Sequence, residues 1–162
     1  MASPYTDAVM QLDGNGNVIP GPLPFMVSKR ITFVGGTPDA IGDYDGTGDP
    51  FSIFTVTGDV MCFVVGVCKT TLVGAATLEV GVTDATASIL AQIANATTLV
   101  ENEVWAADAT PSLAEAVTAR YHFIGGGLDI IGNIGAADIT SGVIDFYCFY
   151  RPLSSDGRVV AA

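Results

Sequence analysis

At 162 residues, the chain is long enough for one domain with a sizeable core and too short for two. Its 17 acidic against 6 basic residues give a net charge of −11, and the cations Lys29, Arg30, Lys69, Arg120, Arg151 and Arg158 are scattered along the chain. That balance argues against nucleic acid and against an anionic membrane surface as partners. Only 14% of residues are charged while 49% are hydrophobic, so apolar surface must be hidden, and composition points to a subunit interface as the hiding place.

In chain order, residues 1–28 come first. Pro4, Pro20, Pro22 and Pro24 break this stretch, and "DGNGN" at Asp13 to Asn17 is a turn sequence. The stretch is expected to be an extended arm rather than a helix or an interior strand. Val18, Ile19, Leu23, Phe25 and Met26 make it too apolar for a solvated tail, so it is expected to lie along its own domain or a neighbouring subunit. Its start lacks the basic and apolar regions of a signal peptide, so no leader is expected.

Residues 29–162 are expected to form an antiparallel β-sandwich, all-β and jelly-roll-like. Short runs rich in Val, Ile, Thr and Phe are bounded by Gly and Asp turns. The predicted strands are "RITFVG", "FSIFTVT", "DVMCFVVGVC", "ATLEVGVT", "TASILAQI", "ARYHFIGG", "LDIIGNI" and "GVIDFYCFYRPL". Between the first two lies "DAIGDYDGTGDP", Asp39 to Pro50. It supplies half of a calcium-loop pattern, with Asp43, Asp45, Thr47 and Asp49 as the ligand set if an ion binds, but the twelfth position falls on Phe54 instead of a glutamate. A metal-free turn is the expected state.

The third predicted strand is apolar on both faces. Val60, Cys62, Val64 and Cys68 alternate with Met61, Phe63, Val65 and Val67, so the second set needs a cover from the arm, a loop or another subunit. No apolar run approaches the roughly 20 residues of a membrane-crossing helix. Cys62 and Cys68, about 20 Å apart along one strand, are too distant to bridge. Cys148 has the option of a neighbour, but buried free thiols in a reducing compartment are expected for all three.

Chemistry-bearing patterns are few. There is no nucleophile elbow, Walker loop, zinc helix or Cys-x-x-Cys pair, so neither a catalytic residue nor a cofactor or metal is assigned. "GGG" at Gly125 to Gly127 reads as a hairpin turn, His122 as a core or surface histidine, and Asn95 as a sequon by letter alone. "TPSLAEAVTA", Thr110 to Ala119, is the one helical competitor. Trp105, flanked by Glu101 and Glu103, is expected to be a core or interface anchor, with stacking on a sugar ring as the alternative.

"FTVTGDVMCFVVGVCKTTLVGAATLEVGVTDATASILAQIANATTL" at Phe54 to Leu99 and "ITSGVIDFYCFYRPLSSDG" at Ile139 to Gly157 resemble β-rich head proteins of tailed bacteriophages, of the decoration or cement type. The resemblance implies a non-enzymatic virion protein, made in the host cytoplasm, that sits on the capsid exterior. It also implies a homo-oligomer, typically a trimer, with the major capsid protein as partner. A tail or fibre component, or a sugar-binding module, is the alternative. The residues expected at oligomer or capsid contacts are Val18, Ile19, Leu23, Phe25 and Met26 of the arm, Met61, Phe63, Val65 and Val67 of the two-faced strand, and Trp105.

Overall fold

The structure, a computed structural model, describes residues 11–12, 18–19, 25–46, 49–106, 111–113 and 121–162. They form an all-β fold of two antiparallel sheets, with a separate two-residue ladder between β1 (Gln11–Leu12) and β2 (Val18–Ile19). The first sheet runs β3 (Phe25–Phe33), β11 (Ser141–Pro152), β5 (Val60–Val73) and β8 (Val104–Trp105), with β9 (His122–Ile124) also paired to β5. The second runs β12 (Arg158–Ala161), β4 (Asp49–Thr57), β10 (Ile130–Gly135), β6 (Thr77–Val82) and β7 (Ala85–Ile93). A short 3-10 turn at Ala96–Thr98 is capped by Asn95, whose side chain accepts from the Thr97 amide. The sequon asparagine is thus a cap.

Inward-facing positions from both sheets make one core. Ile31 and Phe33, Cys62 and Val64, and Ile144 and Phe146 from the first sheet meet Ile53, Leu78, Val80, Ile130 and Ile134 from the second. The phase break in "FSIFTVT", where Phe51 and Ile53 alternate as core but so do Phe54 and Val56, is resolved by a register shift. Ile130 pairs with Phe54 and Ile131 with Ser52, which leaves Ile53 as an extra residue in β4. A bulge of this kind lets two consecutive residues turn inward, and both Ile53 and Phe54 are fully buried. Gly132 faces inward opposite Phe51, and a Cβ on it would come within 2.1 Å of the Phe51 ring. The missing side chain makes the space into which that ring packs, edge-on to Phe33.

Three boundaries differ from the sequence reading. The first strand starts at Phe25 instead of Arg30, and residues 25–28, assigned above to the arm, pair with Tyr147 to Tyr150 of β11. The Gly125 to Gly127 turn is not a hairpin, because β9 lies in the first sheet and β10 in the second. It is a crossover, in which Gly126 and Gly127 take φ of 70° and 72° and their amides donate to Asp59 Oδ1 and the Gly58 carbonyl. The C-terminal strand β12 was also not expected. Arg158 to Ala161 pairs with β4, and the Ala162 carbonyl accepts from Lys29 of β3, so the C-terminus bridges the two sheets at one side of the sandwich. Most of the helical competitor lies outside the described residues; within it, Ser112 pairs with Val104.

Candidate interaction surface

The outer face of the first sheet is built by strict alternation. Along β5, Met61, Phe63, Val65 and Val67 are half-buried between the fully or nearly fully buried Val60, Cys62, Val64 and Cys68. The register sets them in rows across the sheet. Phe123, Met61 and Arg151 form one row; Phe63, Phe149 and Met26 the next; then Val65, Tyr147 and Ser28; then Val104, Val67, Asp145 and Arg30. The Phe63 and Phe149 rings stack with centroids 6.2 Å apart. At the margins Met26 is 58% exposed and Phe123 73% exposed. Four strands at about 4.8 Å and four outward positions at about 6.6 Å give a face of roughly 500 Å², polar residues included, which is comparable with the largest patch of about 300–600 Å² on a typical monomer.

One end of this face is charged. Arg30 grips Asp145 through two hydrogen bonds, Nε to Oδ1 at 2.7 Å and Nη2 to Oδ2 at 2.8 Å. That contact holds the Asp145 carboxyl below the usual carboxylate range, with Lys69 adding a weaker pull in the same direction. A depressed carboxylate contributes stability that is present above its unfolded value and lost as pH falls through the folded one. Asp145→Asn should therefore lower the melting temperature slightly at neutral pH and not at all once pH lies below that range, and added salt should shrink the difference. Thermal melts at three pH values check this.

The arm residues divide. Phe25 stacks on Tyr150 of its own domain at 5.3 Å, and Met26 stands on the outer face. Val18 and Ile19 lie in β2, while Leu23 lies outside the described residues. Trp105 belongs to the core: it is fully buried, edge-on to Phe146 at 6.3 Å, and its Nε1 donates to the Ala91 carbonyl of the opposite sheet. Its ring is closed to a sugar and to a neighbouring subunit alike. Of the two anchor roles expected for it, core is the one its burial supports; the flanking glutamates sit in the turn before β8, where Glu103 accepts from the Val100 amide.

The aspartate loop is closed by the protein's own hydrogen bonds. Val34 donates to the Ile41 carbonyl, Asp43 to Ala40, and Tyr44 to Asp138 Oδ1. A cavity of about 270 Å³ opens beside it, lined by Asp39, Asp43, Asp45 and Phe51. Among the described residues no group of three or more potential metal ligands converges; Thr47 and the Asp49 side chain lie outside them. Millimolar calcium should leave the melting temperature unchanged, whereas a ligand at about 100 times its dissociation constant would add roughly 2.7 kcal/mol.

The three cysteines are free and buried. Cys68 donates to the Thr70 carbonyl at 3.2 Å, and burial pushes its thiol up to about 11. Cys148 is driven upward by its hydrogen bond with Cys62 and by burial. Since the thiolate is the reactive form, the native protein should react with an aromatic disulfide reagent at much less than one thiol per chain at pH 8, and at three once unfolded. His122 lines a groove of about 170 Å³ between β7 and β9 with Ser88, Ile89, Phe123 and Leu128. Among the described residues, Ser154 donates to Asp156 at 2.6 Å and accepts from the Asp59 amide, which locks a turn. No family model, curated protein or solved structure matches the chain.

Proposed function

We propose that the chain is a non-enzymatic structural protein of a virion, which binds the exterior of an assembled capsid and reinforces it across subunit boundaries. The observation that carries this reading is the outer face of the first sheet: an apolar surface built by alternation on a domain whose core is already complete without it. Such a face gains free energy only when something covers it, at roughly 25 cal/mol per Å² of apolar area removed from water. Small contacts repeated over a shell add up to firm attachment. The phage-head texture of residues 54–99 and 139–157 supports the major capsid protein as the partner. Within this reading the sandwich is jelly-roll-like, the protein is a homo-oligomer, typically a trimer, and residues before β3 serve as an extended arm to neighbours.

Cryo-electron microscopy of purified particles that encode the chain tests the reading. Density for the two-sheet domain on the outside of the head is the expected result. Density in the tail would assign it to the tail or fibre class, and absence from the particle would overturn the virion role.

A further inference from the structure

We infer that the groove between β7 and β9 receives one ring-sized apolar side chain of a partner polypeptide, with Lys or Arg beside it. The groove lies on the flank of the sandwich, apart from the rows of the outer face, and the inference does not rest on the virion reading.

A local irregularity opens the groove. Two steps along β6, from Val80 to Val82, are matched by five along β7, from Leu90 to Ala85, so residues 86–89 bulge from the ladder. Bulges re-aim side chains and are common beside functional sites, and here Ser88 and Ile89 line the groove. Trp105 ties the two sheets on this flank through the Ala91 carbonyl, but farther along the edge β9 faces β7 across open space. Val82, Ile89, Ile124 and Leu128 supply apolar walls to about 170 Å³, and Phe123, 73% exposed, stands at the mouth. An apolar cavity of about 150 Å³ holds a benzene ring, whereas sites for whole small ligands run to about 300–1,000 Å³. The space fits one side chain rather than a metabolite.

Charge selects what accompanies that side chain. Asp84 lies in the turn that joins Val82 to Ala85, Asp129 follows Leu128, and Asp59 Oδ1 is 3.5 Å from the position of a Cβ on Gly125. Asp59 accepts from the Gly126 amide and Asp129 from the Val56 amide, neutral donors that leave both charges standing. Among the described residues no Lys or Arg pairs with any of the three; the ion pair of Arg30 is with Asp145. Arg120, outside the described residues, is the one cation near the groove in sequence, against three carboxylates. A cation on the incoming chain meets that excess, and the exposed Phe123 offers it a ring as well. An apolar anchor with a cation beside it is the complement of this groove.

The test titrates the nitrogen-15-labelled full chain with the blocked tripeptide acetyl-Lys-Phe-Lys-amide. Amide shifts at Ile89, Phe123, Ile124 and Leu128 should saturate with a dissociation constant below about 1 mM. Acetyl-Lys-Ala-Lys-amide, which lacks the ring, should bind about tenfold more weakly or worse. Acetyl-Glu-Phe-Glu-amide should lose about as much, and added salt should shrink that second difference. In the protein, Asp84→Lys and Phe123→Ala, both at exposed positions, should each weaken binding of the Lys-Phe-Lys peptide about fivefold or more while circular dichroism stays unchanged. Shifts centred on Phe63, Val65 and Tyr147 would place the peptide on the outer face, and binding of phenethylammonium as tight as that of the peptide would make a free amine the ligand. Either result, no saturable shift at several millimolar peptide, or variants that bind like the parent, overturns the inference.

Discussion

Trp105→Ala is expected to cost about 3–5 kcal/mol of folding stability, read as a fall in the denaturation midpoint in urea with an unchanged slope. The indole is fully buried and sits at a junction. Its strand, β8, is only two residues long, and Trp105 pairs with Gly66 of β5. A Cβ on Gly66 would lie 3.2 Å from the Phe146 ring and 3.3 Å from Ile144, so the glycine leaves just enough room for the Trp105 and Phe146 rings to meet. The indole N–H then reaches the second sheet, donating to Ala91 at 3.3 Å. Removing the ring opens a cavity and also cuts a tie between the sheets. Trp105→Phe keeps much of the apolar volume and loses that hydrogen bond, so a smaller loss, about 1–2 kcal/mol, is expected. If both variants lost less than 1 kcal/mol, the indole would not be the junction described.

How much of this was legible in the sequence depended on whether a residue's role was set locally. Alternation in "DVMCFVVGVC" depends only on the pleat, and it separated Cys62 and Val64 from Phe63 and Val65 as the structure does. The class, all-β with antiparallel sheets, followed from such runs and the turns between them. What stayed hidden was set by partners far along the chain. Phe25 to Ser28 look like arm because the prolines before them dominate the pattern, but Tyr147 to Tyr150 offer them a ladder. Arg158 to Ala161 is too short to stand out, and becomes a strand because β4 has a free edge beside it. The phase break at Ile53 carried a local signal, two core-type residues in succession, that a bulge would have explained. Trp105 was ambiguous because acidic neighbours suggest exposure, whereas the burial of its ring is decided by Gly66 and Phe146.

The outer face shows the same division for function. Its existence could be read from one strand, but its width and charge could not. Phe149 and Tyr147 come from β11, Met26 and Arg30 from β3, and Phe123 from β9, so register alone gathers them. The apolar rows end at the Arg30–Asp145 pair on one side and at Arg151 on the other, and no single strand's sequence places those charges.

Gly74→Ala should be among the most damaging of the conservative glycine changes, with a loss of about 3 kcal/mol or more. Gly74 has φ of 126°, a region that L side chains rarely occupy, and a Cβ there would come within 2.0 Å of the Asp138 carbonyl oxygen. That atom is backbone, held in the connection from β10 to β11, where Thr140 donates to the Val73 carbonyl. It cannot swing aside as a side-chain tip could. Gly46 supplies the control, since its φ is 101° but nothing lies within 4 Å of its would-be Cβ. Gly46→Ala should therefore show conformational strain alone, about 1–2 kcal/mol. Chemical denaturation of both variants beside the parent separates the two costs. The difference between them measures how tightly the turn after β5 is pressed against the connection into β11. Equal losses would mean that the Asp138 backbone yields, and that the two long strands carrying the outer face are less firmly joined at that end than their register implies.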